Sequence, residues 1–389
     1  MEKLTGTIQP YAWGSTDAIA SLLGVEPTGE PQAEYWLGAH AKAPSALASG
    51  PHLGAAIDSD ASIVGAASVE RFGRRLPYLM KVLSARHALS IQAHPSREQA
   101  AAGYAAENEG GLAPDAPHRN YRDDWPKPEA MVALTEFHGL CGFRDPERTV
   151  ELIAALGVSE LDDLVGPITE RDGVARVFLE IVGLADVEQT LVDEVVAAAG
   201  KHTDDPGEVG ELARTATELA ADFPGDPGIL VALLLNRITL QPGESFFMDA
   251  GNMHAYLRGT GIEIMSNSDN VLRGGLTGKH IDVDELAQIV DFTPGLPPKI
   301  APEPVADGVA EYPTPAPEFA LFTVDAAAAE RLPAAGSGRI VLVTEGELTL
   351  RLDGSELTLS RGESAWVPAA DDPTVHGTAH AFVAAPGIR

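Results

Sequence analysis

One short string occurs twice, and it limits the architecture more than any other feature. Pro242-Gly243-Glu244-Ser245-Phe246-Phe247 returns as Arg361-Gly362-Glu363-Ser364-Ala365-Trp366, each copy behind an alternating apolar–polar stretch. A histidine follows both copies, His254 in one case and His376 in the other. Self-similarity points to related units within one chain, and a period of two marks strands. The repeat therefore predicts two related small β-barrels.

The neighbouring segments agree. Glu347 to Leu352 alternates cleanly, turns at Asp353-Gly354 and returns from Glu356 to Leu359, which is a strong hairpin signal. Residues 76–83 and 87–94 read as strands, and strand character resumes at Ile238-Thr239-Leu240 after a block of another kind. That block opens at Asp145-Pro146, a cap followed by proline at the first helical position. Its apolar residues recur at helical spacing, as in Val150-Ile153-Leu156 and Leu212-Ala216-Leu219, and its last helix opens at Asp226-Pro227. Phe178 and Phe223 read as core residues of this block. A short helix near the start is expected from caps Ser15-Thr16 to a stop at Gly24. A proline-rich connection, PGLPPKIAPEP, leads into the last strand-rich part. The expected fold class is mainly β with α, in three parts. Residues 1–145 and 237–294 form one barrel, 146–236 an inserted α-helical domain, and 295–389 a second barrel.

Several function classes can be set aside. No run approaches the roughly 20 apolar residues of a membrane helix, and the start has no apolar core of signal-peptide length, so a cytoplasmic protein is expected. The lone Cys141 excludes an intramolecular disulfide and a cysteine-built zinc site. A net charge of −30 opposes nucleic acid and anionic membranes. An anionic small molecule would need cations gathered locally in its pocket.

Strand parity picks out a polar constellation. In Leu89-Ser90-Ile91-Gln92-Ala93-His94, alternation puts Ser90, Gln92 and His94 on one face. The same logic groups Lys127 with Glu129, and Asn252 with His254 and Tyr256. Two imidazoles, a carboxylate and an amide oxygen suit Zn²⁺ in a catalytic setting, with one position left for water or substrate. Taken singly, a strand histidine is more often structural, and that reading is kept for His40, His87, His138 and His376.

The strings SIQAHP, PKPE, AGNMHAYL and SNSDNVLRGGLTGKHID, with YAWG and AEYWLGAHAKAPS upstream, resemble type I mannose-6-phosphate isomerases from about residue 9 to 290. The resemblance implies a cupin-type β-barrel carrying one zinc ion, a helical domain and a second barrel. It implies zinc ligands at Gln92, His94, Glu129 and His254, active-site cations at Arg273 and Lys279, and pocket residues at Trp13, Ser90, Lys127, Tyr256 and Glu263. This chain departs from the family at Ala39-His40-Ala41, where Thr-His-Pro is frequent, and at Trp125-Pro126, where Asn-His often precedes the lysine.

The implied reaction interconverts mannose 6-phosphate and fructose 6-phosphate through a cis-enediol. It needs an electrophile at the carbonyl oxygen and a base at carbon. Arg273 would stabilise the enediolate, with Glu263 the first candidate base, Asp269 the second and Lys127 a further catalytic group. Lys279 and Ser90 would hold the phosphate, with Lys81 and Lys127 nearby, while Trp13 and Tyr256 would wall the sugar. The C-terminal barrel, with only His376 as a possible ligand, should hold no metal. The alternatives are a cupin metal dioxygenase, which would be richer in histidine, and a non-catalytic sugar-phosphate sensor.

Overall fold

The structure is a computed structural model that describes residues 1–183 and 189–388. The repeated string takes the same form twice. Gly243 and Gly362 both lie at φ 86°, a left-handed conformation that glycine adopts without a Cβ clash. Each following glutamate turns back onto the chain. The Glu244 carboxylate accepts from Gln241 N–H at 2.8 Å, and that of Glu363 from Ser360 N–H at 2.9 Å. The strands Ser245–Met248 and Ser364–Val367 then begin on buried serines.

The likeness extends across two large sheets. One runs Lys299–Ile300, Ser245–Met248, Glu129–Ala133, His254–Ser266, Tyr78–Ala85, Glu34–Gly38, Thr7–Gln9. The other runs Glu2–Thr5, Ser364–Val367, Arg339–Glu345, His380–Ala385, Ala320–Asp325, Val309–Tyr312, Glu303–Ala306, with Ala46–Leu47 beyond its first strand. Position by position the order is the same. Strand pairing in both is antiparallel. Each large sheet faces a smaller one. Phe137–Phe143 pairs with Leu235–Leu240 and with the start of His254–Ser266, which also meets Ile91–Ala93 and, through it, Leu272–Gly275. In the second unit Glu347–Leu352 pairs with Ser355–Ser360 and Thr374–Gly377.

The equivalence locates the helical block. Phe137–Phe143 and Leu235–Leu240 correspond to a hairpin that the second unit closes with Asp353 (φ 48°) and Gly354 (φ 80°) alone. The first unit instead runs through helices from Pro146–Ala154 to Gly228–Leu233 between its two strands. Asp145 caps the first of these, accepting from Arg148 N–H, with Pro146 at the start. The block packs around Phe178, Val192, Val195, Leu212 and Ile229.

Two expectations shift at their edges. The early helix is Ala18–Leu23, stopped by left-handed Gly24 as expected. It starts after Asp17 rather than Thr16, because the Ser15 hydroxyl already accepts from the Ala18 amide. Residues 87–94 supply only the short strand Ile91–Ala93, with Ser90 and His94 flanking it.

An apolar layer lies between the two large sheets, built from Leu37, Tyr78, Met80, Val132 and Ile262 of one and Leu321, Ile340, Leu342, Trp366 and Phe382 of the other. Two short strands cross over. Glu2–Thr5 pairs with Ser364–Val367 of the second sheet, and Lys299–Ile300 pairs with Ser245–Met248 of the first. Each brings a lysine to the glutamate of the repeat it joins: Lys3 to Glu363, and Lys299 to Glu244 at 2.6 Å. The chain is thus mixed α/β with mostly antiparallel sheets. Among the described residues no helix is long and apolar enough to cross a membrane.

Candidate active site

The site lies where the small strands of the first unit converge. The short strand Ile91–Ala93 sits between its neighbours so that Gln92 pairs with His254 on one side and Arg273 on the other. Glu129 opens the adjoining strand of the large sheet. One buried atom each from His94, Glu129 and His254 lies within 4.8 Å of the others.

The hydrogen bonds around these imidazoles set their tautomers. His94 Nδ1 donates to the carbonyl of Asn270 at 2.7 Å, and His254 Nδ1 donates to the carbonyl of Asn252 at 3.0 Å. Each Nε2 is therefore left with a lone pair. Those lone pairs face the Glu129 carboxylate at 3.4 and 3.5 Å. Among the described residues, His94 Nε2, His254 Nε2 and Glu129 Oε2 find no hydrogen-bond partner. Three buried acceptors pointing at one another are unfavourable unless a cation stands among them. Burial, and then the Lys127 ammonium, push His94 down to about 4, which keeps its imidazole neutral. The donor set fits Zn²⁺, with Gln92 on the same pocket wall.

The cavity in front of these ligands is about 940 Å³. On one side is a buried charged chain. Lys81 Nζ lies 2.7 Å from Glu263 and 3.3 Å from Glu34, whose other oxygen accepts from Trp36 Nε1 at 2.8 Å. Burial pushes the Glu263 carboxyl up, against the opposing pull of Lys81. The Lys81 ammonium is itself held above the ordinary lysine range, because Glu263 and Glu34 outweigh the effect of burial. Lys127 Nζ is engaged by Glu129 at 2.8 Å. Tyr256 is buried against the His254 ring, and Trp13 stacks on Tyr11 at the rim.

A second group of lining residues is cationic. It comprises Arg273, Lys279 and Arg122, and the ion pairs found among the described residues include none to these three. Burial and then Arg122 depress Arg273, while Arg273 is the largest influence depressing Lys279, ahead of burial. Each cation makes the others less stable, so an anion placed among them relieves all three. Asp269 also lines the cavity. Burial raises its carboxyl, but His40 at 3.5 Å and Lys42 at 2.8 Å outweigh that and hold it well below the usual range.

The pocket thus gathers Trp13, Lys81, Ser90, Gln92, Lys127, Glu129, Tyr256, Glu263, Asp269, Arg273 and Lys279, with the His94 and His254 nitrogens against Glu129. Sequence reasoning missed Glu34, Lys42 and Arg122. Glu34 and Lys42 sit within AEYWLGAHAKAPS and could have been found there. Arg122 comes from an irregular segment with no periodicity to mark it. Trp125, one of the departures, lies under Arg75 and Arg97 and does not line the pocket.

The second unit differs at each of these places. The first paired residue of its strand, where Glu129 stands in the first unit, is Arg339, fully buried and donating to the carbonyls of Pro333 and Asp371. His376 pairs with Thr349 next to Gly377, as Arg258 pairs with His138 next to Gly259. His376 therefore matches Arg258, and the place of His254 falls at Pro373. The histidine after each repeat is a coincidence of sequence spacing.

The family model described as phosphomannose isomerase type I, catalytic domain, matches residues 1–146. Mannose-6-phosphate isomerase of Salmonella typhimurium is 38 % identical over 383 residues, 96 % of each chain. That of Escherichia coli is 37 % identical over 388 residues, 97 % of each. The crystal structure of the Salmonella enzyme bound to substrate (f6p) and zinc superposes with a TM-score of 0.89 at 33 % identity, covering 100 % of both chains.

Proposed function

The chain belongs to the type I phosphomannose isomerase family, and from its pocket we propose that it interconverts mannose 6-phosphate and fructose 6-phosphate with one zinc ion. One observation carries the reading. Among the described residues, three buried acceptors without a partner and three cations without a carboxylate open into the same cavity, in a chain of net charge −30. The first group asks for a metal and the second for an anion.

His94, Glu129 and His254, with Gln92, would hold the zinc. When bound, it supplies an electrophile that polarises the C1 and C2 oxygens of the sugar. Arg273 stabilises the charge that builds toward the cis-enediol, since its guanidinium is permanently charged. Lys279, Arg122 and Ser90 take the phosphate. Glu263 takes and returns the proton between C1 and C2. Its raised affinity for a proton suits that task, and Asp269, held as an anion by His40 and Lys42, is the weaker candidate. Lys81, committed to Glu263 and Glu34, balances the base rather than the phosphate. Lys127 balances Glu129. Trp13 and Tyr256 wall the ring.

On the larger scale we read the two matching units as cupin-type β-barrels, the catalytic one formed by 1–145 and 237–294 and the second by 295–389. The helices of 146–236 are read as an inserted domain. The common strand order and the hairpin equivalence support this. Arg339 in place of Glu129 opposes a metal in the second barrel. The absence of nucleic-acid partners fits the charge.

A coupled isomerase assay tests the central claim. Chelator-stripped protein should lose turnover and regain it on adding zinc; stripped protein that zinc cannot revive would sink the reading.

A further inference from the structure

The string Asp222-Phe223-Pro224-Gly225-Asp226-Pro227-Gly228 joins the last two helices of the inserted block, and its two carboxylates reach in different directions. Asp222 accepts from the Ala88 amide at 3.0 Å and meets His87 Nδ1 at 2.6 Å, holding the stretch that leads to Ser90 and Gln92. Asp226 accepts from the amides of Leu276 at 3.1 Å and Thr277 at 3.0 Å, in the loop that leads from the strand of Arg273 to Lys279. Ala221, Asp222 and Phe223 themselves line the pocket.

The loop that Asp226 grips is not relaxed. Leu276 sits at φ 54° and Gly275 at φ 151°, and a left-handed leucine persists only where its surroundings impose it. Two things impose it. Asp226 binds both amides, and Gly228 packs so closely that a Cβ there would lie 2.2 Å from Leu276 N. Thr277 Oγ1 then accepts from the Lys279 amide at 3.1 Å, which carries the constraint on to the lysine. The cations at the far end repel one another, so without this tether the loop would relax away from the pocket.

We propose that Asp226 is a positioning residue for the phosphate subsite. It acts by clamping the turn at residues 275–277, so that Lys279 is held in the phosphate subsite before an anion arrives, while Arg273 keeps its place through strand pairing with Gln92. The inserted helices then serve the reaction by fixing a rim of the pocket, and Asp222 fixes the facing rim. A plain capping role for Asp226, through its bond to the Gly228 amide at 2.7 Å, would not reach residues 276 and 277. The proposal rests on the isomerase function proposed for the same pocket.

The test uses the full-length zinc-loaded protein and the variants Asp226→Ala and Asp226→Asn. For Asp226→Ala, KM for mannose 6-phosphate should rise about tenfold with kcat within about threefold, since the cost falls on an interaction made before the transition state. Zinc content should equal that of the parent. Asp226→Asn, which keeps an acceptor for one amide, should recover part of the loss and decides the matter if Asp226→Ala fails to fold. Hydrogen exchange should quicken at residues 276–280 and not at 87–90. An unchanged KM in a folded variant overturns the proposal, as does a loss of kcat with zinc at unchanged KM. Calorimetric binding of fructose 6-phosphate should weaken by a similar factor, a readout that needs no turnover. A parent that binds it but does not turn over would defeat the isomerase reading while the variants still decide the role of Asp226.

Discussion

Glu263 and Asp269 are carboxylates of one pocket with opposite surroundings. Glu263 is buried with one ammonium close by, and its carboxyl is pushed up; Asp269 is held down by His40 and Lys42. A base must be deprotonated to act, so activity should fall as pH drops through the folded-state value of Glu263, which lies above the ordinary glutamate range. Glu263→Gln should cut kcat by about 10²–10⁴-fold, change KM little and abolish that acid limb. Asp269→Asn should keep the limb. A kcat–pH profile of both variants decides, and an intact limb in Glu263→Gln would reassign the base. Parity in an extended chain was enough to group Lys127 with Glu129, since the two ends meet at 2.8 Å. It could not reveal that Lys81 is spent on Glu34 and Glu263, because those residues lie far apart in sequence and meet only through sheet register.

Among the elements, the two units invite a paired experiment. Gly259 and Gly377 occupy matching bends at φ 123° and 124°. A Cβ on Gly259 would lie 2.6 Å from Glu136 O, and one on Gly377 would lie 2.2 Å from Glu347 O. Alanine at either place should cost about 1–3 kcal/mol in chemical denaturation, by a similar amount in each, because the geometry is shared. The hairpin at Asp353-Gly354 was readable since its turn residues and its alternation are both local. So was the start of the helical block at Asp145-Pro146. The segment from 110 to 126 was not. It is held by Arg119, which donates to the Tyr121 and Leu112 carbonyls and to Asn108, and by the Asn120 amide donating to Asp282. Such contacts leave no period in the sequence, so Arg122 went unnoticed.

For the whole molecule, the apolar layer between the large sheets matters most. Neither sheet can expose Met80, Val82 and Ile262, or Leu321, Ile340 and Phe382, to water without a large unfavourable surface. Residues 1–294 expressed alone should therefore aggregate, as size-exclusion chromatography would show; a soluble monomer would mean that the layer contributes little. The proline-rich connection marks where the sequence changes character, yet pairing crosses it both ways, through Glu2–Thr5 and Lys299–Ile300. That exchange also imposes a timetable. The strand Glu2–Thr5 finds its partner only when Ser364–Val367 has been made, roughly 20–70 s later at about 5–20 residues per second. Lys3 must wait for Glu363 through the making of the 360 residues that separate them. The newborn protein can make His94, Glu129 and His254 early, but Glu2–Thr5 and Ser364–Val367 close on each other last.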